Sequence, residues 1–405
     1  MSAAESLDVV ELAAQLVAID SSNPGPGEAA VAAFVAELAR EWGLQSRLVE
    51  TAPGRVNVLL RVDAGGSRSL GLSGHLDTKP VGDGGPAWRS PPLELIVDGD
   101  TAYGLGTSDM KGAVAAMLLA ARSWSATAES GRLELILTAD EEAGSELGAK
   151  ELVRRGLVDV DAVLVGEPSG VDEPWEAVHV VSRGICCFEV SVSGRQGHSG
   201  LSERLPTSAT IAAAMAVLSL RRLQPRYPRR LPGGAAPTVN PGMRISGGVF
   251  FGVHPGHATV ACEVRLVPGM RREELAEDIE RVLAAAMPDD VAWELGFRDD
   301  QLGWLPAVAI DPAHPLVRTT QRVAARVLGR RPPAGCYPGS TDATSFIDGA
   351  GIPAIASFGP GWLSVAHGPN EHVSITQLRD AVEIYQGIAD AYLAGGAGEI
   401  TTASG

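Results

Sequence analysis

Apolar and polar positions follow two different patterns along the chain, and the change of pattern divides it. Up to about residue 182, short apolar runs of strand length alternate with longer runs of helical period. Helices are predicted at residues 7–19, 27–42, 111–124 and 145–155, and strands at residues 56–62, 69–74, 132–138 and 162–165. Short buried strands separated by helices are typical of an α/β fold with a mostly parallel central sheet covered on both faces.

After residue 182 the order of elements becomes strand, helix, strand, strand, helix, strand. These elements are predicted at residues 185–193, 205–222, 238–247, 257–266, 271–287 and 291–297. This order is that of a ferredoxin-like α+β unit with a core of its own. We therefore predict an α/β domain in two parts, residues 1–182 and 301–395, interrupted by an inserted domain at residues 183–300. A disordered tail is expected at residues 396–405.

Composition narrows the function classes. The chain of 405 residues has a net charge of −16, which argues against a nucleic-acid-binding surface. Its first residues lack the basic region of a signal peptide, and no apolar run reaches the ~18 residues that a membrane span needs. Metal-type spacing is absent from the four cysteines, which are Cys186, Cys187, Cys262 and Cys336. We expect a cytoplasmic protein with structural cysteines and with neither nucleic acid nor membrane as a partner.

Polar side chains follow several of the apolar strands, where α/β folds place their sites. The run of Asp140, Glu141 and Glu142 comes directly after the predicted strand 132–138. Three adjacent acids considered alone most often form a solvated turn. The alternative is that the acids have separate functions, with their mutual repulsion offset by bound cations.

Further clusters strengthen the second interpretation. His75 is followed two residues later by Asp77, a spacing that suits a metal-binding imidazole oriented by a carboxylate, although a chance surface pair has the same spacing. Asp109 stands at a predicted helix start, which is also an ordinary position for a capping residue. With Glu167 and His367, the chain offers the nitrogen and oxygen donors that zinc accepts. A two-metal site also needs a bridging carboxylate and a base for the water, and this set can supply both.

The segments HLD, GTSDMKG, ADEEAG, GEP and HGPNEH resemble, in order and spacing, the motifs of the M20 family of dinuclear zinc peptidases and deacylases. This family includes acetylornithine deacetylase, succinyl-diaminopimelate desuccinylase and glutamate carboxypeptidase. The resemblance implies two Zn²⁺ ions per subunit, with Co²⁺ or Mn²⁺ as alternatives. It assigns the metal ligands to His75, Asp109, Glu142, Glu167 and His367. It also makes Glu141 the general base and Asp77 the residue that orients its neighbouring imidazole.

The reaction implied by the resemblance is metal-assisted hydrolysis of an amide. Glu141 takes a proton from the attacking water and returns it to the leaving amine. The expected substrate is an N-acyl amino acid, as for an acetylornithine deacetylase or a desuccinylase. The alternatives are a dipeptidase or carboxypeptidase of the same family, an amide-forming biosynthetic relative with the same metal centre, and a binding protein without catalysis. Asp140 receives no chemistry, and we expect its hydrogen bonds to shape the turn.

The resemblance also gives the insert the function of a lid and dimerisation domain. His198 stands where relatives have a histidine that stabilises the oxyanion in the partner subunit's site, which implies a homodimer; a loop histidine without this context would simply be exposed. The candidates for substrate contact are Arg265, Asn240, Arg183, Gly339, Ser340 and Thr341. An equal alternative for Arg265 is an ion pair with a neighbouring acid. Gly252 and Thr344 stand where relatives carry an asparagine and a substrate-binding arginine, so the binding of a substrate carboxylate is not explained.

Overall fold

The computed structural model describes residues 7–394, and the tail predicted at 396–405 lies outside that range. The α-helices are α1 (Val9–Val17), α2 (Ala29–Glu41), α3 (Lys111–Thr127), α4 (Ala149–Arg154), α5 (Ala209–Leu220), α6 (Arg272–Ala284), α7 (Pro315–Leu328), α8 (Ala343–Ala350) and α9 (Ile375–Leu393).

The strands, numbered in chain order, are β1 (Gln45–Ala52), β2 (Arg55–Asp63), β3 (Ser69–His75), β4 (Ile96–Asp98), β5 (Thr101–Tyr103), β6 (Arg132–Thr138), β7 (Ala162–Val165), β8 (Pro168–Gly170), β9 (Val178–Ser182), β10 (Gly184–Ser193), β11 (Gly197–His198), β12 (Thr238–Gly247), β13 (Val253–His254), β14 (His257–Leu266), β15 (Ala292–Phe297), β16 (Val308–Ala309), β17 (Ala334–Tyr337), β18 (Ala354–Ile355), β19 (Gly359–Trp362) and β20 (His372–Ser374). In the described part of the chain, no helix is both long and apolar enough to cross a membrane.

The described chain forms two compact units. Unit 1 contains residues 7–182, 309–337 and 341–394, and unit 2 contains residues 183–308 and 338–340. The insert that the sequence predicts ends at residue 300, whereas unit 2 continues to Val308. The functions of unit 2 as a lid and dimerisation domain stay predictions.

The main sheet of unit 1 positions the ends of its central strands at one edge. Its order is β1-β2-β6-β3-β7-β18, in which β6, β3, β7 and β18 run parallel and β2 runs antiparallel to both neighbours. Strands β3 and β7 are buried along their whole length, as is usual for central parallel strands. Helices α3 and α9 pack on each other and on β3, while α8 packs on β7.

Three details of unit 1 differ from the sequence pattern. Strand β1 was not predicted because Val49 is its one buried residue, so it shows no apolar alternation. Helix α8 was not predicted because it has 8 residues and directly follows a loop. The helix predicted from residue 145 begins only at Ala149, because Ser145 has a positive φ of 66° that no helix accepts.

Unit 2 has the predicted order of main elements, which are β10, α5, β12, β14, α6 and β15, with the two-residue strands β11 and β13 between them. Its four-stranded sheet has the order β12-β14-β10-β15, and each neighbouring pair is antiparallel. The inward side chains of β10 and β14 pack with α5 and α6 into an apolar core that includes Phe188, Val190, Val260 and Ile279. Helix α5 is shorter than the predicted 205–222, because Ser208 caps its N-terminus by accepting from the backbone N–H of Ile211.

Candidate metal centre

Three neighbouring parallel strands of unit 1 deliver imidazole and carboxylate groups to the same edge of the sheet. His75 is the last residue of β3, Glu141 and Glu142 follow β6, and Glu167 follows β7. Because β6, β3 and β7 are adjacent and parallel, their carboxyl ends lie together. The polar groups that the sequence places after separate strands therefore form one cluster.

His75 stands at the centre of the cluster and is 1% exposed. Its Nε2 lies 2.9 Å from Oδ1 of Asp109 and 3.5 Å from Oε1 of Glu167, while Nδ1 lies 2.9 Å from the backbone oxygen of Asp77. Burial acts to lower the pKa of His75, but the contacts with Asp109 and Asp77 outweigh it and hold that pKa well above its usual value. The carboxylates thus create a strongly negative field around the imidazole.

Asp109 connects two imidazoles through its two oxygens. Its Oδ2 lies 3.1 Å from Nε2 of His367, which is also 3.1 Å from Oε2 of Glu142. These two contacts raise the pKa of His367 to about 10, with the Asp109 contact as the larger cause. An aspartate between two donor groups has the position that a bridging ligand needs.

Glu141 lies on the other side of the cluster, with His75 and Glu167. Burial raises the pKa of Glu141 well above its usual value, the Glu167 carboxylate acts in the same direction, and His75 acts against it. Burial likewise raises the pKa of Glu167, whose Oε2 accepts a hydrogen bond of 3.3 Å from the Tyr337 hydroxyl. The carboxylates of Glu141 and Glu167 are therefore kept close together in a region with little solvent.

The donor set fits divalent cations. The ligand atoms of His75, Asp109 and Glu142 lie within 4.8 Å of one another, and so do those of His75, Glu141 and Glu167. Within the described residues, Oε1 of Glu142 is buried and has no hydrogen-bond partner. A buried carboxylate oxygen without a partner is costly unless a cation compensates it. Imidazole and carboxylate donors in this arrangement suit zinc and similar borderline ions.

Asp77 positions the acidic turn as well as the imidazole. Its Oδ1 accepts from the backbone N–H of Glu141 at 3.2 Å, and its Oδ2 accepts from that of Glu142 at 3.1 Å. The amide of Asn23 donates to the same Oδ2 at 2.9 Å. One carboxylate therefore fixes the backbone of both acids, which explains how adjacent residues can have different orientations.

Asp140 forms the hydrogen bonds expected from its place before the two glutamates. It has a φ of 62°, and its Oδ1 accepts from the Asn23 amide and from Arg55, both at 3.1 Å. Arg55 also pairs with the buried Glu28 at 2.8 Å. No sequence pattern indicates Arg55 or Glu28, because each occupies an ordinary position and meets the turn only through the fold.

Glu371 is a supporting residue whose importance was not inferred from the sequence. Its buried carboxylate accepts hydrogen bonds from the backbone N–H groups of Gly106, Ser108 and Asp109, at 3.0, 2.9 and 2.9 Å. Burial raises the pKa of Glu371 to about 8, and the Asp109 carboxylate acts in the same direction. Glu371 thereby joins the loop that carries His367 to the loop that carries Asp109. The place of Glu371 in the HGPNEH segment is the one sequence signal that points to it.

Lys79 contacts the cluster, and Asp342 hydrogen-bonds to the end of β6 and to the turn after the acids, without either having been predicted to do so. The Lys79 ammonium lies 3.2 Å from Oε2 of Glu142 and also donates to the backbone oxygen of that residue. Asp342 is buried and accepts from the hydroxyls of Thr138 and Ser145 at 2.7 and 2.6 Å. Lys79 follows the HLD segment closely, and that position is the signal that could have identified it.

The remaining predicted residues lie mostly in unit 2. His198 is exposed, and its Nδ1 accepts from the backbone N–H of Gly200 at 3.0 Å. Arg265 pairs with Glu263 at 2.8 Å, the neighbouring acid that its alternative interpretation requires, and Asn240 donates to the same oxygen at 3.2 Å. These contacts leave the substrate roles of the three predicted residues as predictions.

The loop after β17 holds the last three candidates. Gly339 accepts from the backbone N–H of Arg183 at 2.9 Å, and the Ser340 hydroxyl donates to the Arg183 backbone oxygen at 2.6 Å. Thr341 belongs to unit 1, where its backbone N–H donates to the Ser182 hydroxyl at 3.0 Å. All of these residues have structural hydrogen bonds, and their contact with substrate stays a prediction.

Comparison with known sequences identifies a family. Residues 71–391 match the model of peptidase family M20/M25/M40. A probable succinyl-diaminopimelate desuccinylase of Staphylococcus epidermidis is 25% identical over 95% of this chain and 98% of its own length. A succinyl-diaminopimelate desuccinylase of Xanthomonas campestris pv. campestris is 28% identical over 95% of this chain and 99% of its own.

Comparison with solved structures confirms the predicted fold class. An M20 family metallo-carboxypeptidase, Sso-CP2 from Sulfolobus solfataricus, superimposes with a TM-score of 0.75 at 18% identity, over 95% of this chain and 99% of that one. The YXEP protein of Bacillus subtilis, described as a dinuclear metal binding peptidase, gives a TM-score of 0.67 at 17% identity over 95% and 98% of the two chains. At these identities the likeness establishes the fold alone.

Proposed function

Since the chain belongs to peptidase family M20/M25/M40, we propose that it removes the acyl group from an N-acyl amino acid, with two Zn²⁺ ions held by unit 1. The chain is a metal-dependent hydrolase of amide bonds. The choice of substrate class is supported by relatives named succinyl-diaminopimelate desuccinylase that match it over nearly the whole length. Zinc is the proposed metal because the donors are imidazoles and carboxylates, and Co²⁺ and Mn²⁺ accept the same donors.

The observation that carries the proposal is the set of donor side chains whose contacts meet at His75 and Asp109. His75, Asp109 and Glu167 would hold the first ion, and Asp109 would share the second with Glu142 and His367. Each of these side chains contacts at least one other within 3.5 Å. The unpartnered Oε1 of Glu142 supports the assignment, because it would gain the cation that its burial requires.

The chain's own residues then divide the work of hydrolysis. When bound, the two ions polarise the amide carbonyl and lower the pKa of water. Glu141 lies within the donor group of His75 and Glu167, and we assign it the general base that takes a proton from the attacking water. It returns this proton to the nitrogen of the leaving amine. Asp77 holds the turn that bears Glu141 through the backbone contact at 3.2 Å.

Amine release is the direct test. Purified protein is analysed for bound metal and incubated with N-succinyl-diaminopimelate, acetylornithine, other N-acyl amino acids and dipeptides. Release from acylated amino acids alone supports the proposal. Release from dipeptides alone replaces it with a dipeptidase, and metal-loaded protein that hydrolyses none of the amides replaces it with an amide-forming enzyme or a binding protein.

We also propose a homodimer formed through unit 2. Helix α5 exposes Ile211, Met215 and Leu218 at the spacing of one helical face. In β12, the edge strand of the unit 2 sheet, Met243 and Ile245 are 65% and 55% exposed. An apolar helix face together with an unpaired apolar edge strand is a surface suited to pairing with a second copy.

Sedimentation of an edge-strand variant tests the dimer. Ile245→Lys places a charge on the exposed edge and should convert the dimer to a monomer, as a charged edge opposes strand pairing. Val97→Lys in β4 is the matched control, because Val97 is also an exposed apolar residue of an edge strand, in unit 1. A wild-type monomer at micromolar concentration would contradict the proposal.

For His198 we propose the oxyanion-stabilising role in the site of the partner subunit. His198→Ala should lower kcat by on the order of 10²–10³-fold if the imidazole is an oxyanion donor. Mixing this variant with Glu141→Gln should restore activity, because hybrid dimers then contain one site with both groups. Mixtures without any gain would exclude action in the partner's site.

The proposed compartment is the cytoplasm, where thiols such as the buried Cys186 and Cys262 stay reduced.

A further inference from the structure

A substrate with a carboxylate needs a cation, and the two positions expected to bind it do not supply one. Thr344 is buried, with its hydroxyl 3.3 Å from that of Ser182. Gly252 has no side chain. If the substrate is anionic, its cation comes from another residue, and besides the candidates Arg265 and Arg183 of unit 2 the cations of unit 1 have to be considered.

Two of the cations near the acidic cluster of unit 1 are occupied by structural contacts. The buried Lys111 ammonium donates to the backbone oxygens of Leu16 and Ile19 at 3.0 and 2.6 Å. Arg55 is held by the buried carboxylate of Glu28 at 2.8 Å, and its side chain is 13% exposed. Both side chains fasten segments of the fold together, and neither reaches solvent freely.

Lys79 differs from these in both exposure and partner. Its side chain is 35% exposed, and its ammonium lies 3.2 Å from Oε2 of Glu142. It follows Asp77 by two residues, on the segment that leaves the sheet edge where the cluster lies. The ammonium thus stands between solvent and a carboxylate that we assign to the second metal ion.

We propose that the Lys79 ammonium binds a carboxylate of the substrate, either that of a dicarboxylic acyl group or the α-carboxylate of the amino acid. This inference rests on the proposed function for its substrate class. A cation on Glu142 would share that carboxylate's charge and weaken its attraction for the ammonium. Lysine has a flexible four-carbon stem and rotatable donors, so Lys79 can turn to a new carboxylate and form a charge-assisted hydrogen bond.

The kinetic test compares N-succinyl-alanine, which has two carboxylates, with two singly charged analogues, one with the succinyl carboxylate and one with the α-carboxylate replaced by an amide. Lys79→Met should lower kcat/KM for N-succinyl-alanine by about ten- to a hundredfold, chiefly through a higher KM. The loss of a hydrogen bond to a charged group weakens binding by about this factor. For the analogue that lacks the anchored carboxylate, Lys79→Met should not lower kcat/KM. This analogue thereby identifies which carboxylate is bound. Lys79→Arg keeps the positive charge and should therefore lower kcat/KM for N-succinyl-alanine less than Lys79→Met does.

Two controls separate this role from an effect on the metal site. Lys150→Met removes a lysine of α4 that pairs with Glu146, and it should leave kcat/KM unchanged for all three substrates. Metal content is measured for every variant, because loss of the Lys79 contact with Glu142 could alter cation binding instead. An equal loss on all three substrates, or a changed metal content that accounts for the loss, would overturn the proposal.

A binding measurement keeps the inference independent of turnover. Calorimetry on zinc-loaded Glu141→Gln protein gives the dissociation constants of the same three compounds, with and without Lys79→Met. N-succinyl-alanine should bind about ten- to a hundredfold more weakly after the second substitution. Equal binding by both proteins overturns the role of Lys79, whereas absence of amine release by the wild type, measured separately, overturns the proposed function.

Discussion

Units 1 and 2 bury different kinds of side chain. Unit 1 encloses ionisable groups at one sheet edge, among them His75, Asp109, Glu167 and Glu371. The core of unit 2 is apolar, and its buried Asp278 is paired with arginines. Unit 2 thus gains its stability from apolar burial. Unit 1 confines carboxylates that repel one another and gains stability from whatever cation offsets that repulsion.

The largest expected effect separates chemistry from cation binding within unit 1. Glu141→Gln should lower kcat by about 10²–10⁴-fold, because the amide cannot take the proton from water, while metal content is unchanged. Glu146→Gln, a nearby exposed glutamate, is the control and should leave kcat unchanged. Undiminished activity of the first variant would exclude Glu141 as the base.

The next largest expected effect is the loss of stability caused by truncating a side chain in the core of unit 2. Phe188 is 1% exposed, so Phe188→Ala should lower the free energy of unfolding by about 3–5 kcal/mol in urea titrations. Phe251→Ala, at a phenylalanine that is 91% exposed, should change it by less than about 0.5 kcal/mol. A loss of bound metal in the folded Phe188 variant would contradict the independence of the two units.

Metal removal should destabilise unit 1 and leave unit 2 unchanged. Chelation should lower the free energy of unfolding by about 3–4 kcal/mol for each ion removed, if the free ion had been present at 100 to 1,000 times its dissociation constant. Hydrogen exchange should increase in residues 140–145 and 366–372, which carry the proposed ligands Glu142 and His367, and stay unchanged in β10 and β14. Equal loss of protection in both units would show that the contrast between them is wrong.

The smallest effect concerns the support of the metal centre. Glu371→Gln keeps one oxygen acceptor for the three backbone N–H groups of the Asp109 loop but removes the charge. Metal affinity should fall by about 10- to 100-fold, as is typical for groups that orient ligands. Glu383→Gln on the exposed face of α9 is the control. Unchanged affinity in the Glu371 variant would reduce its role to loop structure.

The contrast between the units also explains what the sequence could predict. The fold class follows from the pattern of strands and helices, and His75, Glu142 and Glu167 could be predicted to lie together because each lies at the end of an apolar strand or within four residues after it. Residues that support the site could not. Asn23 meets Asp77 across 54 residues of sequence and Glu371 meets Asp109 across 262, and neither pairing has a local pattern.

Local strain and edge positions account for other misses. The positive φ of Ser145 delays the start of α4, although the sequence around it has helical period. Strand β1 pairs with β2 but exposes most of its side chains. It is defined by its backbone hydrogen bonds, and these leave no trace in the apolar pattern of the sequence. Lys79 was overlooked because a lysine near a metal motif is ordinarily a solvated side chain.

The interruption of unit 1 also has a consequence for how the protein is made on the ribosome. The chain leaves unit 1 after Ser182 and returns at Ala309, so Glu167 is synthesised long before His367. At translation rates of roughly 5–20 residues per second, the 200 residues between them take on the order of 10 to 40 seconds. The nascent chain can therefore complete unit 2 while the acidic cluster still lacks its last imidazole. If His75, Asp109 and Glu167 hold the first ion as proposed, its capture can thus precede the formation of the second site.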